Sequence, residues 1–205
     1  MPSVDQDRSI SARIAHRVRH LPKGQPFAIK RFHGVETKNA VYKAMAHLIK
    51  RGELERVYRG IYMRPKAGRY FAKAHANPLQ LISLIAKEKR LSLQIHGAEA
   101  VRKFGLSTQV PLIQIFYTNG ANQSVFIGKA EVRLIHAPPM VMQHAGTKVG
   151  AAISALFYLG KDGATPDCLR AILNALDHED LIKLLSSRMP AWMRIALAEA
   201  QGRTG

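Results

Sequence analysis

From Glu36 to Pro65 the chain reads ETKNAVYKAMAHLIKRGELERVYRGIYMRP. No other stretch constrains the fold as tightly. Thr37 stands where a helix N-cap belongs, and Val41, Met45 and Leu48 are spaced four and three apart, which puts them on one helical face. The spacing predicts a helix from Lys38 to about Arg51, stopped by Gly52. Asn39, Lys43, Lys50, Lys38, Tyr42 and His47 fall on its outer side. Two short strand-like pieces follow, LERVY and IYM, joined at Arg59-Gly60. They predict a tight hairpin.

Upstream, Ser9 is placed to cap a helix running to about Leu21, with Ile10, Ile14 and Val18 on one stripe and Arg13, Arg17 and Arg19 mostly elsewhere. LPKGQP breaks that helix. FAIKRFHG predicts a short second helix, with a strand as the other reading, and Phe27, Ile29 and Phe32 as core candidates. Helix, short helix, turn, helix, hairpin is the element order of a winged helix-turn-helix. Such a domain lays its third helix in the B-DNA major groove, where polar side chains near the helix start reach base edges. On this reading Thr37, Lys38, Asn39, Tyr42, Lys43 and Lys50 are the candidate DNA-binding residues of the helix. The amide of Asn39 matches adenine, and Lys38 or Lys43 matches guanine or phosphate. In the hairpin, Arg56 and Arg59 would reach the backbone or the minor groove, and the Tyr58 hydroxyl a phosphate. Each of these residue types also has an ordinary use: lysines on an outer helix face are solvated, and hairpin tyrosines pack half-buried.

Charge points the same way. The 205 residues hold 31 Lys/Arg against 14 Asp/Glu, a formal net charge of +17. Residues 1–75 carry 17 of those cations and 5 of the acids, a net of +12. That excess favours a polyanionic partner, either nucleic acid or an anionic membrane, and other features argue against the membrane. The longest apolar stretch, AAISALFYLG from Ala151 to Gly160, is too short to span a bilayer. MPSVDQDRSI has no hydrophobic signal region. Cys168 is the only cysteine, so no internal disulfide can form, and a cytoplasmic protein is expected. KAGRYFAKAHANP, residues 66–78, reads as a connection. The expected domains are therefore 1–75 and 76–205.

The second domain alternates helical and strand-like periods. NPLQLISLIAKEKR predicts a helix with Leu79, Ile82, Ile85 and Ala86 inward, LSLQIH a strand, and GAEAVRKFG a short helix closed by Gly105. LIQIFYT and SVFIG, separated by NGANQ, predict a hairpin, with AEVRLIH as a further strand. Helices follow from about Met140 to Leu159, Pro166 to Leu176 with Thr165 as cap, Glu179 to Ser187, and Pro190 to Ala200. The fold class is α+β, a winged helix-turn-helix followed by a small sheet and a helical C-terminal half. His96, His136 and His144 are the candidate ligands or bases, but no Cys/His cluster has zinc spacing. The strand region offers only Glu99 and Glu131 where a two-metal nuclease needs several carboxylates. The expectation is no enzyme, no cofactor and no metal.

RGIYMRP, GLSTQVP (Gly105 to Pro111), YTNG (Tyr117 to Gly120) and IGKAEVRLIHAPP (Ile127 to Pro139) occur in that order after a basic helix. The order resembles that of the AbiEi-type antitoxins of type IV toxin–antitoxin systems, over roughly residues 8 to 140. The resemblance implies a repressor whose winged helix binds inverted repeats of double-stranded DNA in its own promoter. It also implies a second domain that opposes a nucleotidyltransferase-like toxin without a stable complex. Arg59, Gly60 and Tyr62 carry over as family positions, as do Gly105, Leu106, Ser107, Thr118, Gly120 and Gly128. The alternative is an RNA-binding protein with no repressor role, stacking unpaired bases on Tyr58, Tyr62, Tyr70 and Phe71.

Overall fold

The computed structural model describes residues 4–34, 37–66, 76–128 and 130–202. They form an α+β structure with eight α-helices, one 3₁₀ turn and two small sheets. The chain divides into two compact units, Met1–Lys89 with Ile127–Ala130, and Arg90–Phe126 with Glu131–Gly205. Most of the expected connection, residues 67–75, lies outside the described residues. The first compact unit continues past it to Lys89.

In the first unit, α1 spans Val4–Arg19. It starts earlier than expected, so Ser9 lies within the helix and is not its cap. FAIKRFHG resolves into both of its readings: β1 is Pro26–Ala28 and a 3₁₀ turn follows at Ile29–Phe32. Phe27, Ile29 and Phe32 are all buried. Helix α2 spans Lys38–Lys50, and the Thr37 hydroxyl accepts from Ala40 N at 3.4 Å. It ends at Gly52, where φ is +71°. Strands β2 (Glu55–Tyr58) and β3 (Ile61–Met63) form the expected hairpin. Strand β3 also pairs antiparallel with β1, so the order is β1-β3-β2. The core joins Ile14 and Val18 of α1, Phe27, Phe32, Val41, Met45 and Leu48 of α2, and Tyr62.

Helix α3, Pro78–Lys89, packs against β1. Asn77 starts it by accepting from Leu79 N and Gln80 N at 3.0 and 3.3 Å. Leu81, Ile82, Ile85 and Ala86 are buried, whereas Leu79, expected inward, is half exposed. The buried arc is centred between Ile82 and Ile85, and Leu79 stands at its margin in the first turn.

Next come β4 (Leu93–Ile95), α4 (Gly97–Lys103), β5 (Gln114–Thr118), β6 (Gln123–Ile127) and β7 (Ala130–His136), which belong to the second unit except for Ile127 and Ala130. The strand order is β4-β5-β7-β6, with β4 and β5 antiparallel and β5 and β7 parallel. The hairpin expected between β5 and β6 does not form, because β7 lies between them. NGANQ arches over the end of β7 and does not turn back. There Asn122 Oδ1 accepts from His136 N at 2.6 Å, and the His136 ring meets Gly120 O at 3.0 Å. With seven residues, β7 is the longest strand, and it takes an inner position with Val132 and Leu134 buried.

Helix α5 spans Lys148–Gly163, not Met140 onward. Thr147 caps it, accepting from Gly150 N at 3.2 Å and donating to His144 O at 2.7 Å. His144 itself has φ 52°, which no helix accommodates. Every residue from Val149 to Leu156 is buried. Although Tyr158 further along is half exposed, the first part of the longest apolar run, Ala151 to Leu156, thus lies in the central helix of a core and is covered on all sides. Helices α6 (Pro166–Asn174, capped by Thr165), α7 (His178–Ser186, capped by Asp177) and α8 (Ala191–Gly202) surround it. Among the described residues no helix is long and apolar enough to cross a membrane.

Candidate nucleic-acid interface

The apolar stripe of α2 leaves the opposite side of the helix in water. Thr37, Lys38, Asn39, Tyr42, Lys43, Ala46, His47 and Lys50 are all exposed. Asn39, Ala46 and Lys50 lie along the line furthest from the core, since residues three to four apart share a face. Alanine in the middle of that line leaves the helix backbone open to close approach. The Thr37 hydroxyl is committed to the cap, so it has less to offer a ligand than the sequence suggested.

The two flanks of α2 differ. Tyr42 faces a cleft of about 440 Å³ that is also lined by Lys30, His33, Arg56, Arg59 and Lys89. Lys43 and His47 face the other way, into a groove between α1 and α2 that Arg19 and Arg51 also line. Of the predicted residues, the structure therefore gathers Tyr42, Arg56 and Arg59 at one place. It holds Lys38, Asn39 and Lys50 on the open face of α2 and turns Lys43 toward α1.

The hairpin is built to present its turn. Tyr58 pairs with Ile61 across Arg59-Gly60, and the register slips by one residue between Arg56 and Tyr58. Gly60 has φ +76°, a conformation glycine adopts without strain, and its carbonyl accepts from Ile29 N at 2.9 Å. That bond ties the turn to the 3₁₀ segment and leaves Arg59 exposed at the tip. Tyr58 is half-buried, with Lys89 Nζ 5.5 Å from its ring centroid.

Many cations of this unit are already engaged. Arg19 and Arg51 both reach Glu53, with Arg19 Nε 2.8 Å and Arg51 Nη2 2.7 Å from its carboxylate oxygens. The Arg19 hydrogen bond holds the Glu53 carboxyl below the usual range. Arg64 donates to the carbonyls of Arg19 and Leu21 at the end of α1, which satisfies a helix C-terminus. Arg17 lies over the Phe32 ring. Lys30 Nζ is 3.0 Å from Glu88 Oε2. Among the described residues Lys38, Lys50, Arg56 and Arg59 have no such partner.

The profile of a family of unknown function, DUF6088, matches residues 13–184. The chain belongs to that family. The matched span of this DUF6088 member includes the whole of α2, the hairpin and the cleft, and it ends within α7. No curated protein and no solved structure matches the chain.

Sequence reasoning missed four polar lining residues of the cleft. Lys30 and His33 were read only within a core segment, and Glu88 and Lys89 come from α3, beyond the expected boundary. Among the described residues His33 Nε2 is buried without a hydrogen-bond partner. The aromatics offered for base stacking fare less well. Tyr62 is 6% exposed and packs on Phe27 in the core. Tyr70 and Phe71 lie outside the described residues.

His96, His136 and His144 of the second unit each have a structural partner. The His96 ring caps α4, accepting from Ala98 N at 3.2 Å, and packs against Tyr117 and Tyr158. Burial lowers its pKa. The His136 ring holds the arch at Gly120, and His144 Nε2 lies 3.2 Å from Ser187 Oγ. Glu131 pairs with Arg133 at 2.8 Å and accepts from Ser124. Among the described residues no group of three His, Cys, Asp or Glu side chains is placed to hold a metal ion.

Proposed function

We propose that this DUF6088 protein binds duplex DNA through a winged helix in its first unit and represses its own promoter. The observation that carries the reading is the convergence of Arg56 and Arg59 of the hairpin with Tyr42 of α2 in one cleft, beside an open helix face holding Lys38, Asn39 and Lys50. The element order supports it as well: α1, β1, a short helical turn, α2 and a β2–β3 hairpin, with β3 central in the sheet. A helix face beside a basic hairpin suits a duplex, in which one element enters the major groove and the other follows the phosphates. The family description assigns no activity. The finer reading therefore rests on the sequence resemblance: a cytoplasmic antitoxin whose second unit opposes a nucleotidyltransferase-like toxin.

The test is an anisotropy titration of the full chain with a labelled duplex from its own upstream region, against scrambled duplex and single-stranded RNA. With about six to eight phosphates contacted, log K falls against log salt with a slope of roughly −5 to −7. A slope near zero, or preference for the RNA, overturns duplex binding. Co-expression with the neighbouring open reading frame tests the antitoxin role. A neighbour whose toxicity the chain does not relieve would sink that part alone.

A further inference from the structure

The second half of the cleft wall is the C-terminal end of α3. Lys89 stands over Tyr58 of the hairpin, 5.5 Å from the ring centroid. The preceding residue, Glu88, is the one carboxylate among the described lining residues of the cleft. It receives Lys30 twice, Nζ lying 3.0 Å from Oε2 and 3.3 Å from the backbone carbonyl. The Lys30 side chain is 59% exposed and that of Glu88 25%. The described lining of the cleft thus holds four cations, Lys30, Arg56, Arg59 and Lys89, and one carboxylate, which is bonded to Lys30.

A carboxylate among cations in a concave site occupies the position that an oxyanion of a ligand would take. It lowers the charge of the empty cleft and keeps Lys30 ordered. A phosphate entering the cleft competes with it for the same ammonium. Charge-assisted bonds of phosphate and carboxylate to lysine are alike in kind, so the exchange is close to balanced and the carboxylate weakens binding.

We infer that the end of α3 completes the DNA-binding surface, with Lys89 contacting a backbone phosphate beside the hairpin and Glu88 acting as an internal competitor for that phosphate at Lys30. This rests on the duplex-binding reading of the first unit. It extends that surface to a helix on the far side of residues 67–75, and it assigns the cleft both a ligand, the phosphodiester of a duplex, and a brake.

The experiment compares full-length variants on the upstream duplex across several salt concentrations. Lys89→Gln weakens binding by about 3- to 10-fold and flattens the salt slope by about one unit. Lys87→Gln removes the same charge from the same helix. Lys87, however, lines a shallow groove beside Pro26 and Leu79, away from the cleft, so this variant stays within about two-fold of the parent. Glu88→Gln binds about 3-fold tighter or more, because it frees Lys30 and removes the competing charge. Arg59→Ala reports on the underlying reading, and circular dichroism melts confirm that each variant is folded. If Arg59→Ala weakens binding while Lys89→Gln is indistinguishable from Lys87→Gln, the α3 contact is refuted and the duplex reading stands. If Glu88→Gln binds no tighter than the parent, the competitor role is refuted. If the parent itself does not bind duplex, the failure belongs to the proposed function.

Discussion

Replacing Gly97 by alanine sets helix propensity against packing, and the structure decides which prevails. Gly97 opens α4, the helix packed against α5. Alanine is the better helix former by up to about 1 kcal/mol, so propensity alone predicts a more stable protein. A Cβ at Gly97, however, would lie 2.2 Å from Tyr158 Cβ, 2.7 Å from Tyr158 Cγ and 2.9 Å from Ser154 O, where ordinary contact begins at 3.4 Å. The first of these atoms is fixed to the α5 backbone and the last belongs to it, so no rotamer change relieves the overlap. The helices must part by roughly 1 Å, loosening Ala100 and Val101 from the core around α5. Overpacking costs about 1–3 kcal/mol, and more where backbone resists. Less the propensity gain, Gly97→Ala should lose up to about 2 kcal/mol, a fall in Tm of about 4–8 °C for a chain of 205 residues. Thermal and urea denaturation followed by circular dichroism measures both. Gly202→Ala in α8 is the control, since a Cβ there meets nothing within 4 Å, and it should be neutral or slightly stabilising. Tyr158→Ala added to Gly97→Ala should not rescue it, because alanine keeps the obstructing Cβ. A Gly97→Ala protein melting at or above the parent would refute the close approach of α4 and α5.

Two further predictions concern the open face of α2 and the half-buried His96. Asn39→Ala should relax sequence preference, costing about 1–3 kcal/mol at one base and little elsewhere, while Arg59→Ala weakens operator and scrambled DNA alike and flattens the salt slope by about one unit. If both folded variants bind both duplexes like the parent, the docking is wrong. If only Arg59→Ala has an effect, Lys50, about three turns along the same line of α2, replaces Asn39 as the base-reading candidate. Burial lowers the His96 pKa, so on acidification the unfolded chain takes up the proton before the folded one does. Stability is complete at neutral pH and falls as pH drops through the ordinary imidazole value of about 6.5. His96→Asn keeps a capping acceptor without a titrating group. Urea midpoints between pH 7 and 5 should be flatter for it than for the parent, and equal slopes would rule out His96 as the source.

What could be read from the sequence was what neighbouring residues decide. Thr37 and Thr165 announced their helices because a cap bonds within its own first turn. The stripe of Val41, Met45 and Leu48 identified the buried side of α2. The β5–β6 hairpin failed because pairing is not local: five residues of NGANQ fit a turn as well as an arch, and only His136, sixteen residues beyond Gly120, shows which is built. The interface divided along the same line. Its α2 and hairpin residues followed from local order, but Lys89 reaches it from another helix. Electrostatics is the sharpest case. A count of residues 1–75 gives the net charge of +12 and cannot say which cations are taken. Glu53 is shared by Arg19, thirty-four residues away, and by Arg51, while Lys30 finds Glu88 across fifty-eight residues. These pairings engage Arg19, Arg51 and Lys30, and leave Lys38, Lys50, Arg56 and Arg59 of the candidate surface without a carboxylate partner among the described residues. A duplex therefore meets fewer unpaired cations at that surface than the composition suggests, and those four lie on one helix face and one hairpin.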